Sequence, residues 1–291
     1  MNKFKIVAET TCDLPYEYYP EHDVATLHLS CIMDGETYGK GNEIPLDTFY
    51  QRLRAGSMPT TSQVNPDQAK ELFEELIGEY KEILYLGFSA GLSGSCQSVT
   101  IAANEIMEEH PEVKIYVVST LCASMGQGLI LHKAVEMRDQ GNSAEEIADY
   151  MEAHKLNLVH LVAVDDLFHL YRGGRVSKSA AVLGSMIGIK PVIHVDNEGK
   201  LIVVDKVRGR KKSLLSLVDR MEQQIGSYKE QYENEYVFIS HSDCKEDAEF
   251  VAEEIKKRFG FDKFMINLIG PVIGSHTGPG TVALFFWGEE R

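Results

Sequence analysis

The chain has 291 residues, of which 44% are hydrophobic, a composition that supports one large or two ordinary globular domains and excludes a disordered protein. Its formal net charge of −15 argues against non-specific nucleic-acid binding and against docking on an anionic membrane, because both need many lysines and arginines. No apolar run reaches the roughly 18 residues of a membrane span.

The N-terminal residues 1–9 predict a first strand and lack the profile of a signal peptide. Five cysteines are spread along the chain, and no two of them form a CxxC pair. This odd, scattered set is typical of free thiols in a reducing compartment, and not of a disulfide framework or a zinc site. We therefore expect a cytoplasmic protein without a metal site.

The first half of the chain alternates short apolar strands with amphipathic helices. Apolar residues three and four apart predict the helices, and asparagine-proline or serine-glutamate pairs mark where two of them begin. The order β-α-β-α predicts a mainly parallel sheet wrapped by helices. The predicted elements are strands at 83–86 and 113–118 and helices that begin at Asn65-Pro66, near Val99 and after Ser143.

The second half predicts a different arrangement. Asp165-Asp166 opens a short helix that Gly173-Gly174 would end. Two apolar runs flank residues 196–200 and predict a hairpin. A domain boundary is expected near residue 155. The remaining elements are strands at 158–164, near 236–240, near 265–269 and near 281–287, and helices at about 210–226 and 245–258.

The loop Gly87–Val99, with the sequence GFSAGLSGSCQSV, contains four serines and three glycines but no lysine or arginine. It precedes a helix, whose first amides lack intrahelical partners and attract anions. Ser93 and Ser95 would add hydroxyl donors. The lysine of a P-loop is missing, and Gly91-Leu92-Ser93-Gly94 is one residue short of a nucleophile elbow. The loop predicts an anion site built from hydroxyls and amides, with a serine-capped helix start as the alternative.

Two further segments are candidates for the same site. Pro59–Gln63 places three adjacent hydroxyls just before a predicted helix, although an ordinary polar loop has the same composition. His276 stands among four glycines and two prolines in Gly270–Gly280. The prolines restrict the backbone and the glycines leave room around the ring, so a positioned imidazole is indicated. The alternative is a tight turn with an incidental histidine.

The segment Arg172–Lys212 is basic within an acidic chain. It holds ten lysines and arginines against three acids, a balance of +7, so the rest of the chain carries −22. Such a concentration indicates a docking surface for an acidic partner or a phosphate, or else a solvated surface. Asp165-Asp166, just before it, have no further ligand spacing that would predict a metal site.

Together these segments resemble the DegV family of bacterial fatty-acid-binding proteins, which are related to the FakB subunit of fatty acid kinase. The resemblance covers essentially the whole chain. It rests on ETTCDLP (9–15), PTTSQ (59–63), GLSGSCQS (91–98), DDLFHLYRGGRVS (165–177), IKPVIHVDNEGKL (189–201) and GPVIGSHTGPG (270–280).

The resemblance implies an α/β fold of two domains with a fatty acid buried between them. We expect an N-terminal domain at 1–155 with a mainly parallel sheet and helices on both faces. The C-terminal domain at 156–291 would hold a mixed sheet with helices. No cofactor is implied, and the bound ligand would be a long-chain fatty acid.

The resemblance also implies roles for particular residues. The fatty-acid-binding residues would be Thr61, Ser93, Gly94 and His276, with Thr61 and Ser93 holding the carboxylate. His276 would assist phosphoryl transfer by a partner, an ATP-dependent fatty acid kinase subunit. The chain would therefore be a lipid carrier without catalytic turnover of its own.

Docking of the kinase would fall to the basic segment. The resemblance implies a basic residue after the hairpin, which is Arg208 here, and we expect Arg172 and Arg210 to share that surface. A Ser/His hydrolase that uses Ser93 as nucleophile and His276 as base is the alternative function. A phosphate- or nucleotide-binding module is a third hypothesis, disfavoured by the missing P-loop lysine.

Two positions depart from the family pattern. Glu9-Thr10-Thr11 stands where Asp-Ser-Thr is common, and Ser119-Thr120 stands where Asp-Ser is common. Both would lie in loops near the head group of the ligand. They weaken the transfer of fine specificity from the family. The preferred chain length and unsaturation depend on the shape of the tail tunnel, whose lining the spacing does not identify.

Overall fold

The computed structural model describes residues 3–178, 188–233 and 235–291. Within them the chain forms the expected α/β fold, with a parallel sheet, a mixed sheet and a small antiparallel sheet that the sequence does not predict. The strands are β1 (Phe4–Glu9), β2 (Val24–Leu27), β3 (Ser30–Met33), β4 (Glu36–Tyr38), β5 (Thr60–Ser62), β6 (Glu82–Gly87), β7 (Lys114–Ser119), β8 (Leu158–Ala163), β9 (Ile189–Val195), β10 (Leu201–Arg208), β11 (Val237–His241), β12 (Phe264–Leu268) and β13 (Val282–Trp287). The helices are α1 (Tyr18–Glu21), α2 (Leu46–Arg54), α3 (Pro66–Ile77), α4 (Ser95–Glu109), α5 (Met125–Asp139), α6 (Ala144–His154), α7 (Phe168–Arg172), α8 (Arg210–Gln224), α9 (Lys245–Phe259) and α10 (Pro271–Thr277).

The parallel sheet has the strand order β2-β1-β6-β7 and carries helices on both faces, as predicted. Alternate residues of β1 show this: Ile6 and Ala8 pack into the core cluster that contains α5 and α6, whereas Val7 packs with α3 and α4. The chain leaves β1 towards one edge of the sheet and β6 towards the other. A crevice therefore opens between the carboxyl ends of these two strands, where doubly wound sheets bind their ligands.

The second sheet is mixed, with the order β10-β9-β8-β13-β11-β12, and only the β11–β12 pair is parallel within the described residues. Side chains of β8 alternate between its faces, as strand geometry requires. Val159 and Leu161 pack into the core beneath α8 and α9. His160 and Val162 point to the opposite face, which lines a cavity.

The antiparallel sheet β4-β3-β5 corrects the polar-loop interpretation of Pro59–Gln63. Thr61 lies in the centre of β5 and pairs with Cys31 of β3. A three-residue strand is too short to show an apolar alternation, and its flanking residues Thr60 and Ser62 are exposed. The sheet holds Thr61 at a fixed position beside α10.

The boundary that we propose near residue 155 falls on a 3₁₀ turn, Lys155–Asn157, between α6 and β8. One core cluster contains residues from both sides of it, for example Ile130 of α5 and Phe285 of β13. The two halves thus share part of their hydrophobic core. The division into two domains remains a proposal.

Candidate functional site

A cavity of about 160 Å³ lies between one face of the mixed sheet and the loops of the first half of the chain. Alternate residues of β8, β9 and β13 form its floor, and the loop after β6 and helix α10 close it from the other side. Most of the lining is apolar, with polar groups collected mainly from β5, α10 and the loops. The apolar lining consists of Leu29, Phe88, Leu92, Ala123, Val162, Val164, Leu170, Ile193, Val195, Leu201, Ile269, Val272, Ile273, Ala283 and Phe285.

Thr61 and His276 meet at one end of this cavity. The Thr61 hydroxyl and His276 Nε2 are 2.8 Å apart and share a hydrogen bond, although the two residues are 215 positions apart in the sequence. The exposed side chains of Thr60, Ser62 and Gln63 adjoin Thr61, so this end of the cavity opens towards solvent. A polar group placed here would lie near the protein surface, beside exposed side chains.

His276 lies on α10 and is uncharged near neutral pH. Burial, together with the guanidinium groups of Arg175 and Arg172, lowers the pKa of His276 to about 4. Its Nδ1 atom has no hydrogen-bond partner among the described residues. A neutral imidazole can donate or accept a hydrogen bond at the ligand terminus but adds no positive charge there.

Ser93 lies on the loop between β6 and α4 and lines the same cavity as Thr61 and His276. Its Oγ accepts a hydrogen bond from the Ser95 amide at 3.2 Å and lies 3.0 Å from the Ser95 hydroxyl. Gly94 is the residue before the helix, and any side chain there would overlap the Gln63 amide, since its Cβ would come within 2.5 Å of Oε1. The loop therefore brings the Ser93 hydroxyl to the cavity, just before the start of α4. Anion binding by this loop remains a prediction.

The geometry does not favour the hydrolase hypothesis. His276 Nε2 is bonded to Thr61, while the hydrogen bonds of the Ser93 hydroxyl within the described residues go to Ser95. A nucleophile–base pair needs a direct hydrogen bond between serine and histidine, and the base needs a group that orients its other nitrogen. Neither requirement is met by the described residues.

Arg172 connects the two segments that carry Thr61 and His276. Its guanidinium donates to the carbonyl of Pro59 at 2.7 Å and to the carbonyl of Ser275 at 3.1 Å. These bonds hold β5 against α10. An internal contact of this kind leaves little of the guanidinium available for a partner, so its docking role remains a proposal.

Arg175 is a site residue that the sequence reasoning missed. It lines the cavity, donates from Nε to the carbonyl of Leu92 at 3.2 Å and contributes to the low pKa of His276. The loop around Ser93 holds no cation of its own, but the fold brings a cation to it from a distant segment. The signal in the sequence was the second arginine of Arg172-Gly173-Gly174-Arg175.

The other two proposed docking residues differ in their surroundings. Arg210 donates to Asp247 at 2.9 Å and lies 3.8 Å from the carboxylate of Asp165, so it belongs to an internal ion-pair network. Arg208 is exposed at the end of β10 and pairs with no acidic side chain among the described residues. Residues 179–187 of the basic segment lie outside the described part of the chain.

Asp13 fixes the start of α10. It is buried, and its carboxylate accepts hydrogen bonds from the amide of Gly270 at 2.9 Å and from the hydroxyl of Ser124 at 2.6 Å. Its own carbonyl accepts a bond from Asn267 at 2.7 Å. A residue of the first half thereby positions the helix that carries His276, another contact that sequence spacing could not reveal.

Asp13 also predicts a pH dependence of stability. Burial raises the pKa of the Asp13 carboxyl from 3.8 to about 7. Between these values the unfolded chain loses the proton and the folded chain keeps it, so this contribution to stability is complete below pH 4 and is lost as pH rises to 7. In urea titrations, the free energy of unfolding of the wild type should be lower at pH 8 than at pH 5, and Asp13→Asn should remove about 3 kcal/mol of that difference. An identical decline in both proteins would contradict this assignment.

Gly173 provides a test of the position of His276. A Cβ at residue 173 would lie 2.1 Å from His276 Nδ1, so Gly173→Ala must displace the ring and break its bond to Thr61. We expect the 2.8 Å hydrogen bond to disappear from a crystal structure of the variant, with any ligand affinity of the site reduced at least fivefold. Gly78→Ala is the matched control, because a Cβ there meets its nearest neighbour at 3.9 Å. An unmoved imidazole in Gly173→Ala would refute the argument.

The two departures from the family pattern both contact the loop after β6. Glu9 accepts a hydrogen bond from the amide of Phe88, and the Ser119 hydroxyl accepts one from the amide of Ala90 at 3.3 Å. Thr120 donates to the carbonyl of Gly87 at 2.8 Å. These residues shape the loop rather than line the cavity.

The described residues contain no group of three or more His, Cys, Asp or Glu side chains that could hold a metal ion. Among these same residues, no helix is long and apolar enough to cross a membrane. The five cysteines are free thiols, four of them buried.

Comparison with known proteins connects this geometry to a family. The family model described as "Uncharacterised protein, DegV family" matches residues 3–289. A DegV domain-containing protein of Clostridium perfringens is 42% identical over 293 aligned residues, which cover 100% of this chain and 99% of that protein.

Two solved structures are similar to this chain over its whole length. The fatty acid binding DegV family protein SAG1342 of Streptococcus agalactiae is 30% identical, with a TM-score of 0.84 and complete coverage of both chains. A protein of Eubacterium ventriosum, described as binding stearic acid, is 26% identical with a TM-score of 0.86 and covers 99% of each chain.

Proposed function

The chain belongs to the DegV family, and from this premise we propose that it binds one long-chain fatty acid. The carboxylate is held by Thr61 and Ser93, with His276 beside it, and the acyl chain fills the apolar cavity. The loaded protein presents the carboxyl group to an ATP-dependent fatty acid kinase. We place it in the cytoplasm, where its cysteines stay reduced.

The observation that carries the proposal is the combination of a few polar groups with a mainly apolar cavity. Thr61, Ser93 and His276 line the same cavity as fifteen apolar residues from both halves of the chain. A hydrogen bond to a charged group contributes about 1.5–3 kcal/mol, so two or three donors suffice for one carboxylate. Burial of each methylene contributes about 0.8 kcal/mol, so the acyl chain supplies most of the affinity. A single anionic head on a long tail fits both requirements.

The named ligands of the relatives support the same ligand class. The Streptococcus agalactiae protein is described as fatty acid binding and the Eubacterium ventriosum protein as binding stearic acid. Both share the fold over nearly the whole chain. We propose the same class of ligand for this chain on the strength of its own cavity and head-group donors.

Calorimetry on delipidated protein tests fatty-acid binding. Stearate should bind with a stoichiometry of one, and stearyl alcohol, which lacks the carboxylate, should bind at least tenfold more weakly. Failure of stearate to bind at any tested concentration would overturn the proposed function. Equal affinity for the acid and the alcohol would overturn the assignment of the head-group site.

The kinase step is supported by the exposure of the head-group end. Thr60, Ser62 and Gln63 are exposed beside Thr61, and Phe168 and Tyr171 are 49% and 41% exposed on the neighbouring α7. In the proposed reaction a carboxylate oxygen attacks the γ-phosphorus of ATP bound to the kinase, and ADP leaves. The neutral imidazole of His276 stabilises the reacting carboxyl by a hydrogen bond.

Arg208 tests the docking surface. We expect Arg208→Ala to keep the wild-type affinity for stearate and to lower the rate of acyl-phosphate formation by a fatty acid kinase subunit at least tenfold, because the exposed guanidinium meets the kinase. The matched control is Lys257→Ala, at an exposed cation on α9. Reduced stearate affinity with an unchanged kinase rate would reverse the assignment.

A further inference from the structure

Glu9 is one of only two acidic side chains that are buried among the described residues, the other being Asp13. It is the last residue of β1, and no part of it is exposed. Burying a carboxyl group is costly unless it makes specific hydrogen bonds. The position of Glu9 therefore needs an explanation in terms of what its carboxyl group holds.

The carboxyl group lies at the crevice between the carboxyl ends of β1 and β6. In doubly wound sheets, loop amides at this point hold the anionic group of a ligand. Here the amide of Phe88 donates to Glu9 Oε2 at 2.5 Å, and Gln127 Nε2 donates to the same oxygen at 2.9 Å. The side chain of Glu9 thus occupies the place that a ligand anion takes in related architectures.

Gln127 is itself fixed, so the arrangement is rigid. It is fully buried on α5, donates a second bond to the carbonyl of Leu86 at 3.1 Å, and accepts one from the Thr11 hydroxyl at 3.0 Å. The Glu9 carboxyl is held between a fixed helix and the first amide of the loop after β6. That loop cannot move away from β1 without breaking the bond from Phe88.

The same loop carries Ser93. Within this loop the Ser93 amide donates a hydrogen bond to the Ser89 carbonyl at 3.1 Å. The hydroxyl oxygens of Ser93 and Ser95 are 3.0 Å apart. Burial raises the pKa of the Glu9 carboxyl, and the hydrogen bonds from Phe88 and Gln127 oppose this shift only in part. Glu9 therefore holds the start of this loop, at Phe88.

We propose that Glu9 is a positioning residue, which fixes the loop after β6 so that the Ser93 hydroxyl points at the carboxylate of the ligand. This inference rests on the proposed function. It assigns a role to one of the two departures from the family pattern, since an aspartate is one methylene shorter and could not reach Phe88 and Gln127 from the same backbone position. The side chain of glutamate is long enough to accept hydrogen bonds from both the Phe88 amide and Gln127 Nε2.

A double-mutant cycle with Ser93 tests the inference, with stearate affinity as the readout. Glu9→Asp should weaken stearate binding at least tenfold in the wild-type background. In the Ser93→Ala background the same change should alter the affinity less than threefold, because the hydroxyl that Glu9 positions is already absent. Glu9→Gln keeps the length of the side chain and should therefore bind stearate with nearly wild-type affinity.

Two further variants guard against a general loss of structure. Gln127→Met removes one donor to Glu9 and should reproduce the Ser93-dependent loss if Glu9→Asp fails to fold. Leu217→Ala opens a hole in the fully buried core beneath α8, away from the cavity, and should lower thermal stability without changing stearate affinity in either background.

The inference would be overturned if Glu9→Asp and Gln127→Met each lost as much stearate affinity in the Ser93→Ala background as in the wild-type background. The proposed function would still stand in that case. Unchanged affinity in both variants would overturn the inference as well. Absence of stearate binding in the wild-type protein would instead overturn the proposed function on which the inference rests.

Discussion

Replacing Ala283 by leucine is expected to lower the affinity for stearate more than 100-fold. Ala283 lies on β13 with its side chain in the lining of the cavity. A leucine there would fill space that the acyl chain needs and displace about four methylenes, each of which contributes about 0.8 kcal/mol when buried. The loss of about 3 kcal/mol corresponds to a factor of more than 100 in the dissociation constant.

The dependence on chain length distinguishes a blocked cavity from a damaged fold. Calorimetry with a series of saturated acids should show that the loss becomes smaller as the acid becomes shorter, because fewer methylenes reach residue 283. Val282→Leu is the matched control, since Val282 packs into the opposite core beneath α8 and α9. An equal loss of affinity in the two variants would show that the acyl chain does not occupy this cavity.

Removing the two head-group hydroxyls should have the second largest effect. Thr61→Val and Ser93→Ala each remove a donor to a charged carboxylate, so each should weaken stearate binding by about 1–3 kcal/mol, or roughly 5- to 150-fold. Thr61→Val additionally breaks the 2.8 Å bond to His276. Both variants keep the shape of the cavity, so the affinity for stearyl alcohol should change less than threefold.

Thr61→Ser is the control that keeps the hydroxyl, and it should bind stearate with nearly wild-type affinity. Circular dichroism and thermal unfolding must show that the variants are folded before calorimetry. If stearate binds to Thr61→Val and to Ser93→Ala as tightly as to the wild type, the carboxylate lies elsewhere in the protein.

Elements with strong local signals were predictable from the sequence. Asn65 caps α3 and forms a capping box with Gln68, with proline in the first turn, and Ser143 and Glu146 form the predicted capping box of α6. These features depend on residues within four positions of each other. The hairpin of β9 and β10 was recognisable in the same way.

Elements without a local signal were not predicted. Helix α5 has nine buried residues distributed around its axis, so it lacks the amphipathic period of a surface helix. Strands β2 to β5 have three or four residues each, too few for a clear alternation. Their positions follow from long-range packing that composition and spacing do not encode.

The candidate site was also predictable only where short motifs mark its residues. Motifs together with the family resemblance identified Thr61, Ser93 and His276 as candidates, and the structure places all three on one cavity. The contribution of Arg175 to the site and the anchoring of α10 by Asp13 were missed, because both depend on contacts between distant segments. The count of basic residues likewise could not predict that Arg172 bonds to the carbonyls of Pro59 and Ser275 inside the protein.

The charge of the site also depends on tertiary structure. The serine-rich loop holds no lysine or arginine, which predicts an anion bound by hydroxyls and amides alone. In the folded protein Arg175 lines the same cavity as Ser93, while the low pKa of His276 keeps that ring neutral. We expect a carboxylate in this site to be held mainly by hydrogen bonds, with the partly buried cations Arg175 and Arg172 nearby.

The most direct test of this account is a native mass spectrum of the purified protein, recorded before and after incubation with stearate. The account predicts a single adduct with the mass of one long-chain fatty acid in the wild-type protein, and loss of that adduct in the Thr61→Val/Ser93→Ala double variant. A bare wild-type protein that acquires no adduct from added stearate would contradict it.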